Sequence, residues 1–397
     1  MTKKIEVSGT GCCLVDYLFN NISFASESFS KYLSRKSGDG GLTPGHLVFA
    51  EEFEKFCGRD LESVIRDIAN GKAPDKVNVG GPSIVSLIHA AQMLENDAFQ
   101  VRFYGGRGED KTGEYLRSAL EKTPVNIDNY RIVGERTPFT VVLSDPDYHE
   151  GSGERIFINS LGASKNYLPE YLDSRFFAAD IVAFGGTALV PPLHDHLTEL
   201  LEKAKREGCV TVVNTVYDFR NQQADPEKKW PLGKSDASYR YIDLLIADYE
   251  EAMRLSGKNS LEEAMEFFRG VDTGAVIVTN GAKDVMLFAE KSTIFEETTL
   301  MAMPVSAAVT EELKKGHNGD TTGCGDNFAG GVIASLANQL REKKGKIDLK
   351  EACIWGIVSG GFTCFYMGGT YHEKEPGEKR QHLIPYYQAY LKQLNNE

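Results

Sequence analysis

Gly319-Asp320-Thr321-Thr322-Gly323-Cys324-Gly325-Asp326-Asn327-Phe328-Ala329-Gly330-Gly331 gathers small residues and two carboxylates immediately ahead of an apolar pattern. After Asp326, residues Phe328, Val332, Ile333, Leu336 and Leu340 recur at helical spacing, so Gly323 to Gly325 stand where a loop turns into a buried helix. Backbone N–H groups at such a start are free to bind an anion. Glycine brings those donors close without a Cβ in the way, and the helix dipole adds positive potential at the same point. Asp326, in the first turn, is then within reach of whatever binds there. A lone Gly-x-Gly would signify no more than a helix start; the full string carries more.

Outward from this stretch, short apolar runs alternate with helical patterns. Ile5 to Val15, Ile181 to Phe184, Val210 to Val213, Leu244 to Ala247 and Ala275 to Thr279 read as buried strands, while Leu193 to Glu207 and Leu261 to Phe268 show helical periodicity. The alternation predicts a mostly parallel sheet covered by helices on both faces, with ligands at the carboxyl ends of the strands. Two stretches break the pattern. One, about Tyr17 to Lys76, contains helical steps at Phe49, Phe53, Phe56, Leu61, Val64, Ile65 and Ile68. In the other, Thr140 to Ser144 and Arg155 to Ile158 flank Asp145-Pro146 and Gly151-Ser152-Gly153 as a hairpin. The expected division is a core of 1–16, 77–136 and 160–397, with 17–76 and 137–159 as a smaller, separate sheet.

Composition narrows the function. With Lys+Arg 44 against Asp+Glu 57, the net charge of −13 argues against a nucleic-acid surface. Seven cysteines, an odd number without paired spacing, suit a reducing compartment, and the adjacent Cys12-Cys13 read as core residues. Met1 to Val7 runs straight into a strand and no apolar run is long enough to span a bilayer, so a soluble cytoplasmic protein is expected. No Gly-x-x-x-x-Gly-Lys-[Ser/Thr] and no Gly-x-Gly-x-x-Gly occurs, which disfavours P-loop kinases and dinucleotide enzymes. His194-Asp195-His196 lacks further ligands and reads as surface capping after Pro191-Pro192.

The signature from Gly319 to Gly331 resembles the second signature of the ribokinase-like carbohydrate kinases, the phosphofructokinase B family, and the resemblance runs from Gly9 to about Met367. It implies a three-layer α/β/α domain with a small β lid, ATP and Mg²⁺ as cofactors, and a sugar substrate. Asp326 takes the general-base position and the Gly323, Cys324 and Gly325 amides the anion hole. Cys324 departs from the family's Ala, Gly or Ser, and no partner that would make it a reactive thiol can be named from the sequence. Asp16, with Gly9-Thr10-Gly11 before it, matches the carboxylate that holds sugar hydroxyls at the end of the first strand. Gly80-Gly81-Pro82 resembles the first signature, with Val85 where the family carries Asn. Gly162-Ala163-Ser164 stands for Gly-Ala-Asn, a second lost amide, and Gly108-Glu109-Asp110-Lys111-Thr112-Gly113 matches a Gly-x-Asp-x-x-Gly turn. Arg107, just ahead of it, reads as a surface arginine and His89 as a satisfied core histidine.

On the nucleotide side, Thr279-Asn280-Gly281 resembles the family's Thr-x-Gly beside the phosphates and ribose. Asn214, Arg220 and Thr322 are expected to add phosphate contacts, and the adenine to lie between Met303–Asn318 and Cys353–Met367. Asp248-Tyr249-Glu250-Glu251 looks like Asn-x-x-Glu with Asp248 replacing Asn, placing Asp248 and Glu251 around Mg²⁺ through its waters. Asp320 opens a loop that binds a monovalent cation in some relatives. The lids of such kinases often pair, which makes a homodimer the expected assembly. Two alternatives stand beside the sugar kinase. One is a nucleoside kinase, because the helical insertion after Pro44-Gly45 resembles the adenosine-kinase-like branch; the other is a catalytically silent sugar-binding protein, which the loss of Asn at 85 and 164 would suit.

Overall fold

The computed structural model describes residues 4–36, 38–94, 97–151, 153–291, 294–317, 319–342 and 345–396. Its strands are β1 (Ile5–Gly11), β2 (Leu14–Phe19), β3 (Leu47–Phe49), β4 (Lys76–Gly80), β5 (Phe99–Gly108), β6 (Asn126–Gly134), β7 (Phe139–Asp145), β8 (Glu154–Ser160), β9 (Ile181–Gly185), β10 (Val210–Asn214), β11 (Leu244–Asp248), β12 (Ala275–Asn280), β13 (Lys283–Ala289) and β14 (Thr298–Met303). The central sheet runs β14-β13-β12-β11-β10-β9-β1-β5-β6, parallel from β12 to β6 and antiparallel at the β13–β14 edge.

Each central strand feeds two cores because alternate residues point to opposite faces. Ile181 and Ala183 join one apolar cluster with the helices Pro82–Met93, Cys324–Glu342 and Leu349–Thr363, whereas Val182 and Phe184 join another with Leu197–Arg206, Tyr249–Ser256 and Leu261–Gly270. A parallel sheet buried on both sides explains why these strands are unbroken apolar runs. Gly330 and Gly331 let Cys324–Glu342 lie between two neighbours: a Cβ on Gly330 would come within 2.7 Å of His89 Cβ, and one on Gly331 within 2.7 Å of Trp355 O.

The second sheet runs β3-β8-β7-β2-β4. The expected hairpin is present as antiparallel β7 and β8; Ser152 of its turn lies outside the described residues. This sheet reaches beyond 17–76 and 137–159, because the single strand expected over Ile5 to Val15 is two. Cys12 N still donates to Gly185 O of the central sheet at 2.9 Å, while Val15 N donates to Pro138 O at 3.2 Å, so the chain changes sheets at Cys12-Cys13. An apolar run carries no mark of such a change, since both halves are buried. Val15, Val79, Val141 and Ile158 belong to the first core cluster, which joins the two sheets.

The helical steps after Phe49 resolve into Ala50–Cys57 and Leu61–Ile68, divided at Gly58 in a left-handed conformation. Leu193 to Glu207 is likewise broken at His196, between Pro191–Asp195 and Leu197–Arg206.

Candidate active site

The helix Cys324–Glu342 begins one residue after Gly323, and Asp326 occupies its first turn, half-buried. Thr322 N is taken by Asp320 Oδ1 at 2.7 Å and Cys324 N by Thr321 O at 3.3 Å. The Cys324 amide is therefore engaged within its own turn rather than open as the sequence suggested. The N–H groups of Gly323, Gly325 and Asp326 meet no hydrogen-bond acceptor among the described residues, so the open donors of this turn are these three. Burial pushes the Asp326 carboxyl up to about 7, which brings its titration close to neutral pH.

Asp16 does not project from the end of the first strand. It lies inside β2, paired with Asn78 of β4 and Thr140 of β7, and is 7% exposed. Its carboxylate stands against Gly80, where a Cβ would overlap Oδ2. Gly80 thus makes room for Asp16, while Gly81, at φ 104°, turns the chain into the helix Pro82–Met93. Burial raises the Asp16 carboxyl to about 8, helped by the negative charges of Asp326 and Asp320. Asp16 and the first turn of Cys324–Glu342 therefore share one electrostatic site, although they come from different sheets. Val85 is 1% exposed and lies against Gly369; that position faces the packed loop beside the site.

Strand order reverses between β1 and β9, the place where ligands of such sheets bind. Gly185 ends β9 there, and a Cβ on it would run into both Ser83 and Asn214. Ser83 Oγ and Asn214 Oδ1 are buried without a hydrogen-bond partner. Such orphaned atoms are costly unless a ligand or water completes them. Arg220, expected beside Asn214, is instead held by Asp195, with Nη1 at 3.1 Å from Oδ2. His194 is buried rather than a surface cap: its Nδ1 meets Thr187 Oγ1 at 3.0 Å and its Nε2 the Pro231 carbonyl at 3.2 Å. Arg107 is also buried, not superficial; it binds Gly108 O at 3.2 Å and Glu114 at 2.9 Å. His89 is buried with Nε2 on Ser359 Oγ at 2.8 Å, but its Nδ1 has no partner. Asp110 ties the Gly-x-Asp-x-x-Gly turn to the segment that leads into β7, accepting from Gly113 N at 2.7 Å and Thr137 N at 2.8 Å.

Asp248 and Glu251 form a capping box on Tyr249–Ser256: Asp248 Oδ1 accepts from Glu251 N at 2.8 Å and Glu251 Oε2 from Asp248 N at 3.1 Å. Glu251 Oε2 also accepts from Thr215 Oγ1 at 2.5 Å. Burial raises Glu251 to about 8, followed by the charge of Asp248 and more weakly that of Asp326. Among the described residues no three His, Cys, Asp or Glu side chains cluster tightly enough to hold an ion directly. Thr279 and Gly281 sit at the β12–β13 turn, and the space around Gly281 is open. Between Met303–Asn318 and Cys353–Met367, His317 stacks on Phe365 at 4.6 Å; Asn318 lies outside the described residues.

A cleft of about 440 Å³ opens between the second sheet and the helix Phe219–Ala224, lined by His46, Phe49, Phe157, Tyr217, Phe219 and Glu250 among others. Two groups beside Asp326 carried no signal in the sequence. Lys379, 1% exposed, donates to Asn327 Oδ1 at 2.7 Å, and Cys364 Sγ lies 3.3 Å from Cys324 Sγ. Both come from more than 35 residues downstream, beyond any spacing motif. A buried lysine in a helix of mixed charge looks like any surface lysine until the fold covers it.

The chain's residues 75–375 match the family model described as pfkB family carbohydrate kinase. It is 22% identical to a fructokinase of Solanum tuberosum over 308 residues, covering 77% of this chain and 86% of that protein. It is 25% identical to the adenosine kinase of Saccharomyces cerevisiae over 363 residues, 84% and 93% of the two chains. Among solved structures, the adenosine kinase of Schistosoma mansoni in complex with 2-fluoroadenosine superposes with a TM-score of 0.66 at 15% identity, covering 92% of this chain and 97% of that one. Thermotoga maritima ribokinase gives 0.60 at 19%, covering 97% and 99%. The fold these structures share is the ribokinase-like one expected.

Proposed function

The chain belongs to the pfkB family of carbohydrate kinases, enzymes that place phosphate on a sugar hydroxyl, and from that premise we propose an ATP-dependent kinase in which Asp326 deprotonates a hydroxyl of a sugar or sugar acid. The observation that carries this reading is the pair Asp16 and Asp326, two carboxyls raised to about 8 and about 7 that share one site where the two sheets meet. Asp16 would accept bonds from acceptor hydroxyls, with Gly80 and Gly81 keeping the backbone close. Asp326 takes the attacking proton, and the N–H groups of Gly323, Gly325 and Asp326 receive the transferring phosphoryl oxygens.

ATP would run from these donors towards Thr322, Asn214, Thr279 and Gly281; the orphaned Asn214 Oδ1 and the open turn at Gly281 fit a polar ligand there. Asp248 and Glu251 fit Mg²⁺ through its waters, because the capping box uses one oxygen of each and Glu251 Oε1 keeps no protein hydrogen bond. When bound, the ion neutralises phosphate charge. The monovalent cation does not fit as well: Asp320 Oδ1 caps Thr322 N, and the Lys76 ammonium contacts the Met367 carbonyl in the facing loop.

The second sheet would act as the lid, in a protein that functions in the cytoplasm; no helix among the described residues is long and apolar enough to cross a membrane. Side chains close its β4 edge, with Tyr115 OH donating to Val77 O at 3.1 Å and Thr370 Oγ1 to Val79 O at 2.8 Å. A homodimer through the lid would use the sheet's outer face or the β3 edge.

A nucleoside acceptor is the second reading, favoured by the cleft walled by Phe49, Phe157, Tyr217 and Phe219, whose rings suit a planar base. ATP consumption with Mg²⁺ across ribose, fructose, 2-keto-3-deoxygluconate and adenosine separates the two. A sugar-dependent signal supports the first reading and an adenosine-dependent one the second. Sugar binding without ATP turnover would contradict both and favour a silent binding protein.

A further inference from the structure

We propose that Cys324 and Cys364 are a peroxide-reactive dithiol, which closes to a disulfide across the catalytic loop and stops phosphoryl transfer. The two sulfurs lie 3.3 Å apart although the residues are 40 positions apart in the chain. Cys324 is the first residue of the helix that carries Asp326, and Cys364 caps the C-terminus of Leu349–Thr363. These helices pack closely: a Cβ on Gly360 would come within 3.0 Å of Cys324 O. A disulfide of about 2.05 Å needs the sulfurs to approach by about 1.2 Å. Both residues are half-buried, open enough for a small oxidant.

The pair is also chemically graded. Either sulfur can donate the shared hydrogen; with Cys324 donating, the Cys364 thiol is brought down against its own burial while Cys324 is pushed up. Every other cysteine is raised, burial being the leading cause in each. In that arrangement Cys364 is the attacking sulfur. Its thiolate attacks one oxygen of a hydroperoxide, the O–O bond breaks, and the leaving oxygen departs as water or an alcohol after taking a proton. Cys324 then attacks the sulfenic sulfur; the S–S bond forms, the S–O bond breaks, and the hydroxide leaves as water with the Cys324 proton. Two electrons pass from the sulfurs to the peroxide.

Closing the pair drags the first turn of Cys324–Glu342 towards residue 364. Asp326 and the Gly325 amide sit in that turn, and a displacement of about 1 Å at reacting groups costs on the order of 100-fold in rate. The inhibitory part of the inference rests on the kinase reading above; the chemistry of the dithiol does not.

The full-length enzyme is titrated with hydrogen peroxide, and a non-reducing peptide map is followed alongside the phosphorylation rate. The expected result is a peptide joining 324 to 364 and a rate at least tenfold lower, both reversed by dithiothreitol, with Cys364→Ser keeping its rate under the same treatment. Absence of the 324–364 peptide overturns the dithiol, whatever the activity. The joined peptide with an unchanged rate, or equal inactivation of Cys364→Ser, overturns the switch.

Discussion

Lys379 Nζ donates to Asn327 Oδ1 at 2.7 Å, and the amide so oriented gives its Nδ2 hydrogens to Gly323 O and Gly369 O, each at 2.8 Å. One buried lysine thus fixes the residue after Asp326 and staples the start of the helix Cys324–Glu342 to the loop at 369. Burial lowers the Lys379 ammonium to about 7. An unfolded lysine titrates near 10.4, so between about pH 7 and 10 the unfolded chain holds the extra proton and stability from this group rises with pH. Below pH 7 both states are charged and the folded state bears the full cost of burial.

Lys379→Met should therefore be less stable than the parent at pH 9.5 by about 1–3 kcal/mol, the cost of an orphaned amide oxygen. The gap should close progressively as pH falls from 9.5 to 7, as the parent takes up its buried charge, and stay constant below. Urea unfolding of both proteins at pH 6.5, 8 and 9.5 checks this; a gap independent of pH would remove the assignment.

Asp16 has the opposite sign. Its folded carboxyl titrates at about 8, so between about pH 4 and 8 the folded state holds a proton that the unfolded chain releases, and stability falls as pH rises. Asp16→Asn should stabilise the ligand-free protein at pH 8 by up to about 5 kcal/mol, the distance from an ordinary carboxyl near 4 to about 8 at about 1.4 kcal/mol per pKa unit. The two proteins should converge near pH 4, and the variant should lose acceptor binding. Thermal melts across pH, with acceptor titration, test both parts.

Gly80→Ala should displace the Asp16 carboxylate, because the new Cβ would overlap Oδ2. The acceptor KM is expected to rise about tenfold or more, the equivalent of about 1.4 kcal/mol, while the KM for ATP stays within twofold. Equal changes in both would point to a general loss of folding.

Lys76 reaches the Met367 carbonyl, and the Asp320 charge opposes the lowering of its ammonium by burial. An ammonium at this loop predicts turnover that is the same within about twofold in potassium and in tetramethylammonium buffers, the Coulomb role being filled from within the chain. A tenfold stimulation by potassium would refute it.

Much of this was legible in the sequence where local physics decides. The buried runs from Ile181 to Thr279 and the helix after Asp326 depend on periodicity, and the hairpin of β7 and β8 on turn residues. The change of sheet at Cys12-Cys13 was not, because a strand buried in either sheet has the same composition. Asp326, Asp16 and the glycines around them were readable as types at a spacing. Their electrostatic coupling, the engaged Cys324 amide, the Asp195–Arg220 pair and the partners Cys364 and Lys379 arise from contacts between distant segments, and no local pattern encodes those.

The central claim is that Asp326 takes the acceptor proton, and the most direct measurement is phosphoryl transfer by Asp326→Asn with nucleotide binding followed in parallel. The rate should fall by about 10²–10⁴ with the ATP dissociation constant unchanged within about threefold, and the parent's rate should rise with pH through an apparent pKa near 7. Turnover by Asp326→Asn within tenfold of the parent, with the same pH profile, would contradict the account.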